Sequence, residues 1–250
     1  MKTKFLFSFF FIFALITIWE FLVYLNIINS LFLPAPSKIL MSLFSNINSL
    51  LLSTAITLKH IAVGYIIGVT IAILLGFILM KYNKIESMVY PLILGIGAVP
   101  VIAYIPLFIL WFGLNEMPIY VCSTIGAFYP VFLATIHGIK RVNRSYIEVA
   151  QNFKIKAFTN KIIFPASLPY ISNGLRQSIQ FVFLITPPAE MIIKGTGLGG
   201  FIWQNADLFR IELVILGMVT LGIIGFCFFK AYAFIERKYL LKWMDVKKHA

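Results

Sequence analysis

Apolar residues in this chain run in long stretches, and the charges fall in the gaps between them. The first stretch, Phe5 to Leu25, is interrupted only by Glu20. Ile61 to Met80 is twenty uncharged residues, the length that crosses about 30 Å of hydrocarbon at about 1.5 Å per residue. Ser87 to Asn115 follows, containing Pro91, Pro100 and Pro106, and then Met117 to Ile139. A fifth stretch, from about Ile171 to Ile193, carries Arg176 near its start and Pro187-Pro188-Ala189-Glu190 near its end. The sixth is Leu213 to Phe229, with a possible extension to Ile235. This pattern predicts an all-α polytopic membrane protein of about six transmembrane helices. Lys2 and Lys4 before an apolar run imitate a secretory signal, but the run exceeds an ordinary h-region and no small-x-small cleavage site follows, so it counts as the first span.

Three segments depart from plain lipid-facing helix. After the first span, Pro36 fixes a turn in Leu33-Pro34-Ala35-Pro36-Ser37-Lys38, and the stretch reads either as a connecting loop or as a short outer-face helix capped by Ser37. In the fifth span, Pro187 and Pro188 remove two backbone donors and predict a break in the helix. Glu190 then either sits at the outer boundary paired with Lys194 or faces a cavity. The glycines from Gly195 to Gly200 lack the strand and the Lys-Ser/Thr of a phosphate-binding loop, which predicts a tight turn outside the membrane. Between the fourth and fifth spans, Ser145 and Glu148 form a capping box that starts a helix at Tyr146. Ile147, Ala150 and Phe153 share a face of that short basic-flanked helix, which suits docking to a partner or to the bilayer surface.

Composition and charge narrow the picture. Hydrophobic residues are 60% and charged residues 12% of the 250, against roughly 45–50% and 25% in soluble domains. With the N-terminus inside, seventeen Lys and Arg fall in inside segments; only Lys38, Lys59, Lys194 and Arg210 fall outside. That asymmetry orients the chain with both termini cytoplasmic. It also accounts for the net charge of +12 without a nucleic-acid partner. Cys122 and Cys227 lie in apolar runs with no metal-ligand or CxxC spacing, and His60, His137 and His249 are scattered. Nothing resembles a nucleophile set, a metal cluster or a cofactor motif, so neither an enzyme nor a cofactor protein is expected.

The inside loop supplies a family resemblance. Glu148-Val149-Ala150, a basic linker and Phe164-Pro165-Ala166-Ser167-Leu168-Pro169 resemble the EAA loop of ATP-binding-cassette importer permeases. Val99-Pro100, Leu110-Trp111-Phe112-Gly113, Gly174-Leu175-Arg176, Ala189-Glu190-Met191 and Gly197-Leu198-Gly199, with Leu33 to Ser37, resemble the nitrate/sulfonate/taurine branch. The resemblance implies a bacterial inner-membrane permease working as a pair, most simply a homodimer. Separate cytoplasmic ATPase subunits would dock on the loop, and a periplasmic binding protein would deliver the solute: a sulfonate, nitrate, taurine or related small anion or heterocycle. It assigns ATPase coupling to Ser145, Ile147, Glu148, Val149, Ala150, Asn152, Phe153, Lys154 and Pro165, and the translocation path to Pro100, Glu190, Met191, Gly197 and Gly199. One departure stands out. Lys154 replaces the family's glycine six residues after the Glu, and the linker to Pro165 is two residues shorter, which moves the turn to Asn152, a residue that accepts left-handed backbone better than Lys.

The expected organisation is residues 1–56 as first helix and outer-face loop, 57–243 as the permease domain with the coupling loop at 143–169, and 244–250 as a basic cytoplasmic tail. The rival reading is a stand-alone channel or secondary transporter, for which paired intramembrane acids and bases would be expected; Glu20 and Glu190 are the only deep acids in the spans.

Overall fold

The structure, a computed structural model, describes residues 2–142, 162–193 and 195–240. Within them the fold is all-helical: α1 (Lys2–Tyr24), α2 (Pro36–Lys81), α3 (Asn83–Gly97), a 3-10 turn (Val101–Tyr104), α4 (Ile105–Phe112), α5 (Met117–Lys140), α6 (Phe164–Ile193), α7 (Gly197–Asp207) and α8 (Ile211–Ile235). Proline sits in the first turn of α2, α4 and α5, where its missing N–H costs nothing because those donors have no intrahelical acceptor. Among the described residues, α2, α5 and α8 are long and apolar enough to cross a membrane, and two bent helix pairs raise the number to five. Phe10–Tyr24 of α1 is a shorter apolar helix. The expected count of six is thus not reached on length and composition alone.

Two expected spans have a different shape from the one their sequences suggest. The third is not a straight crossing: α3 and the segment Val101–Phe112 meet at 89°. Pro100 lies at the corner, and a proline biases the residue before it away from helix. In the fifth, Pro187 and Pro188 do not break α6, which runs through them to Ile193. Thr186, Pro187, Ala189 and Glu190 are all buried there, so tertiary packing holds the backbone helical despite the lost donors. The chain instead turns at Gly195, whose φ is +61° and whose N–H closes on the Glu190 carbonyl at 2.8 Å, a helix-ending turn that favours glycine. The helix also begins earlier than expected, since Phe164 to Pro169 already form its first turns.

The core is built on α5, packed between α2 and α6. On α2, Gly64, Gly68, Ala72 and Gly76 recur every fourth residue and so lie along one face. Side chains added at the three glycines would collide with Ser123, with the Thr124 carbonyl and with Thr135 respectively. Across α5, Gly126 and Gly138 receive Ile185 and Tyr170 of α6, while Gly174 of α6 fits against Ala134. Water drives no association between helices in lipid, so this close backbone approach supplies the dispersion contacts that hold them together.

α2 spans 46 residues and is interrupted at Asn46, where φ −123° and ψ 17° are not helical. Its first part joins the C-terminal end of α1. Ser37 is not the cap expected of it: Ala35 holds that position, and the Ser37 N–H and hydroxyl both donate to Glu20, at 3.0 and 2.6 Å.

Candidate functional site

Two polar features stand out in this apolar bundle: a sealed node around Glu190 and an open groove between α5 and α6. Glu190, on α6, is fully buried, as is His60 on α2. Glu190 Oε1 lies 2.7 Å from His60 Nδ1, and Oε2 accepts from the Thr57 hydroxyl at 2.8 Å and the Gly199 N–H at 3.0 Å. Thr57 in turn accepts from the Leu198 N–H at 2.7 Å. The first-turn donors of α7 thus meet a carboxylate and a hydroxyl, the chemistry that suits a positive helix end. The glycines make the approach possible. A side chain on Gly197, whose φ is +70°, would strike the Glu190 carboxylate, and one on Gly199 would strike the Pro187 carbonyl. The expected tight turn therefore exists only around Gly195; from Gly197 the chain is helix, packed against α2 and α6.

The node continues outward. His60 Nε2 is buried, has no hydrogen-bond partner among the described residues, and lies 3.9 Å from Glu116 Oε2. Glu116 also accepts from Lys59 Nζ at 2.8 Å and from the Tyr120 hydroxyl at 3.1 Å. The Lys59 ammonium, chiefly, holds the Glu116 carboxyl below its ordinary range. Sequence reading passed over His60 as an isolated histidine, yet it falls four residues before Gly64, in step with the small residues that face α5.

The groove occupies about 340 Å³. Tyr129, His137 and Arg141 reach it from α5 and its end, and Tyr170, Asn173 and Gln177 from α6. His137, Arg141, Asn173 and Gln177 are exposed in this single chain. The spacing of four between Tyr129, Leu133, His137 and Arg141, and between Asn173 and Gln177, puts each set on one helix face. That periodicity was available in the sequence; which helix stands opposite was not. Tyr129 and Phe181 also line a second, more apolar cavity of about 250 Å³ that reaches Pro100 at the α3–α4 corner.

Of the expected path residues, only Pro100 borders these cavities. Glu190, Gly197 and Gly199 are buried in the node, and half-buried Met191 lies beside them on α6. Of the expected coupling residues, Pro165 is half-buried in the first turn of α6. Ser145, Ile147, Glu148, Val149, Ala150, Asn152, Phe153 and Lys154 lie outside the described residues, and so does Lys194. Arg176, at the start of the fifth span, is paired with Glu236, which also accepts from Ser172 at 2.7 Å, tying α6 to the end of α8.

A helical bundle with an open groove between two of its membrane-length helices is a form suited to a transport subunit. Comparison with known proteins gives the class its family. Residues 64–240 match the family described as binding-protein-dependent transport system inner membrane component. A Methanocaldococcus jannaschii protein assigned as an ABC transporter permease is 33% identical over 243 residues, covering 93% of this chain and 90% of the relative. A Bacillus subtilis protein assigned as an aliphatic sulfonates transport permease is 30% identical, with 93% and 85% covered. The nitrate import permease protein of Synechocystis is 28% identical, with 72% and 66% covered. In fold, the chain resembles an inward-facing structure of the MetNI methionine ABC transporter, with a TM-score of 0.51, 17% identity, and 74% of this chain and 95% of that one covered. The chain belongs to the binding-protein-dependent inner membrane components: it is a permease subunit of an ABC importer, not an enzyme, and ATP hydrolysis resides in a separate subunit.

Proposed function

We propose that two copies of this chain pair with their α5–α6 faces toward each other and enclose the route of a small solute, a sulfonate, nitrate, taurine or related anion or heterocycle. A periplasmic binding protein delivers it, and ATPase subunits drive it inward across a bacterial inner membrane, with both termini cytoplasmic. The observation that carries this reading is the exposed row Asn173, Gln177 and Gln180 within α6. Amides facing hydrocarbon forfeit their hydrogen bonds, so such a row belongs against water or protein. Tyr129 and Phe181, shared by the two cavities, stand where a route from the polar groove toward Pro100 narrows. The loop 143–169 is the coupling element, its Ile147, Ala150 and Phe153 face packing into the ATPase while Glu148 holds the helix start. Closure of the ATPases then rocks the paired bundles between outward and inward openings. The node around Glu190 keeps α7 fixed to α2 and α6 through that motion.

The relatives named for sulfonate and nitrate transport support the solute class. Reconstitution with the cognate ATPase and binding protein tests the route. Asn173→Leu with Gln177→Leu lowers ATP-dependent uptake about tenfold, the rate effect of roughly 1.4 kcal/mol on the barrier, while the ATPase still co-purifies. Undiminished uptake by the double variant would remove the groove from the route.

A further inference from the structure

We propose that the groove between α5 and α6 contains an oxyanion-binding station at its Arg141 end, formed by the Arg141 guanidinium with the side-chain amide of Asn173. This rests on the groove being the solute route and adds which chemical group is held there and by what.

The charge arrangement carries the inference. Two cations sit side by side where α5 ends. Lys140 is neutralised by Glu86, its Nζ 2.7 Å from the carboxylate. Arg141 has no carboxylate partner among the described residues and lies over the Tyr170 ring at 5.6 Å, in the wall of the groove. None of the groove's lining residues is acidic. Other cations of the bundle are differently placed: Lys59 bonds Glu116 and Arg176 bonds Glu236. With no acid beside it among the described residues, Arg141 thus brings a positive charge to a concave surface with largely apolar walls, where a field acts over a longer range than on an open surface. Its planar fork of donors matches the paired oxygens of an oxyanion, and the cation–π contact with Tyr170 does not use those donors.

The neighbours complete the set. Asn173 is exposed in the same groove, one turn after the Tyr170 over whose ring Arg141 lies, so its amide N–H groups can share an anion with Arg141. Tyr90 shares a 3.0 Å hydrogen bond with His137 Nε2, which positions that ring in the groove wall. Tyr129 lies twelve residues, about 18 Å, before Arg141 along α5, and Gln177 stands level with that far part of the groove, since Gly174 packs on Pro130 and Val131. A solute whose only polar group is an oxyanion would be held at the Arg141 end and released by opening of that end.

The test uses the whole importer, permease with ATPase, in lipid nanodiscs. The native thiols are removed by Cys122→Ala and Cys227→Ser, and a single reporter is placed in the groove, one turn before Arg141, by His137→Cys. The probes are two thiol reagents of similar size, 2-sulfonatoethyl methanethiosulfonate and its trimethylammonium analogue, with rates normalised to free cysteine. The anionic reagent should react about tenfold faster than the cationic one, the lower end of the enrichment that focusing in a charged cleft produces. Arg141→Gln should bring the ratio to near one, and Arg141→Lys should retain most of the preference. Millimolar methanesulfonate should slow labelling, and uncharged dimethyl sulfone should not. Equal labelling by both reagents with Arg141 in place, or a preference that survives Arg141→Gln, overturns the anion station and leaves the route standing. A preference without protection by methanesulfonate also overturns it, since a diffuse field is then all that exists. Labelling by neither reagent overturns the route itself, and the station with it.

Discussion

Glu20 and Glu190, the two acids buried in apolar sequence, do the same physical job. Each directs both carboxylate oxygens at polar groups near the start of another helix, Glu20 at Ser37 in α2 and Glu190 at Gly199, Thr57 and His60 around α7. An acid in a span suggests transport chemistry, yet here the donors of a helix start, which lack intrahelical acceptors, are what it answers. Glu190→Ala would leave the Gly199 N–H, Thr57 and His60 without their acceptor, and destabilisation of about 3 kcal/mol is expected. The check is the thermal melt of the detergent-solubilised complex, in which Glu190→Gln, which keeps one acceptor oxygen, should lose less. A melt unchanged in Glu190→Ala would show that the node does not hold α7. Glu190 was legible in the sequence as an unusual acid; its partners were not, because Thr57 and His60 are more than a hundred residues away along the chain.

At the scale of elements, the bundle depends on small residues more than on large ones. The face of α2 that meets α5 repeats Gly, Gly, Ala, Gly at intervals of four, and the α5–α6 contact uses glycine from both sides. Gly68→Val would force α2 away from the Thr124 carbonyl and Ala127, an overpacking that costs about 1–3 kcal/mol. Gly222→Ala in α8, where an added Cβ meets nothing within 4 Å, serves as the control and should melt as wild type. Equal melts for the two variants would refute the close α2–α5 contact. Helix positions followed from hydropathy well: the fourth and sixth expected spans match α5 and α8 closely. Pro36, Pro106 and Pro118 each sit in a first turn, where a missing donor costs nothing, whereas Pro187 and Pro188, expected to break the fifth span, lie inside α6, where packing outweighed two missing donors.

For the molecule as a whole, the energy source and the route lie in different parts. The chain is a permease subunit whose motor is another protein, and the proposed coupling role of the loop 143–169 is tested at this scale. Glu148→Ala and Phe153→Asp are each expected to lower ATP-driven uptake severalfold while membrane insertion and the melt of the α2–α5–α6 core remain those of wild type. Wild-type uptake and ATPase association in both variants would refute the coupling role of residues 143–169. The sequence by itself determined the class of protein, because hydropathy and charge sorting are local properties that a bilayer reads residue by residue. Its motifs likewise pointed to the family. Only the tertiary structure decided that Glu190 is enclosed with His60, that the glycine run opens a helix, and that Arg141 shares a groove with Asn173 and Gln177. Those facts depend on which helix faces which. Backbone hydrogen bonds within a span are satisfied whatever its neighbour, so the pairing is set by side-chain fit between segments far apart in the chain.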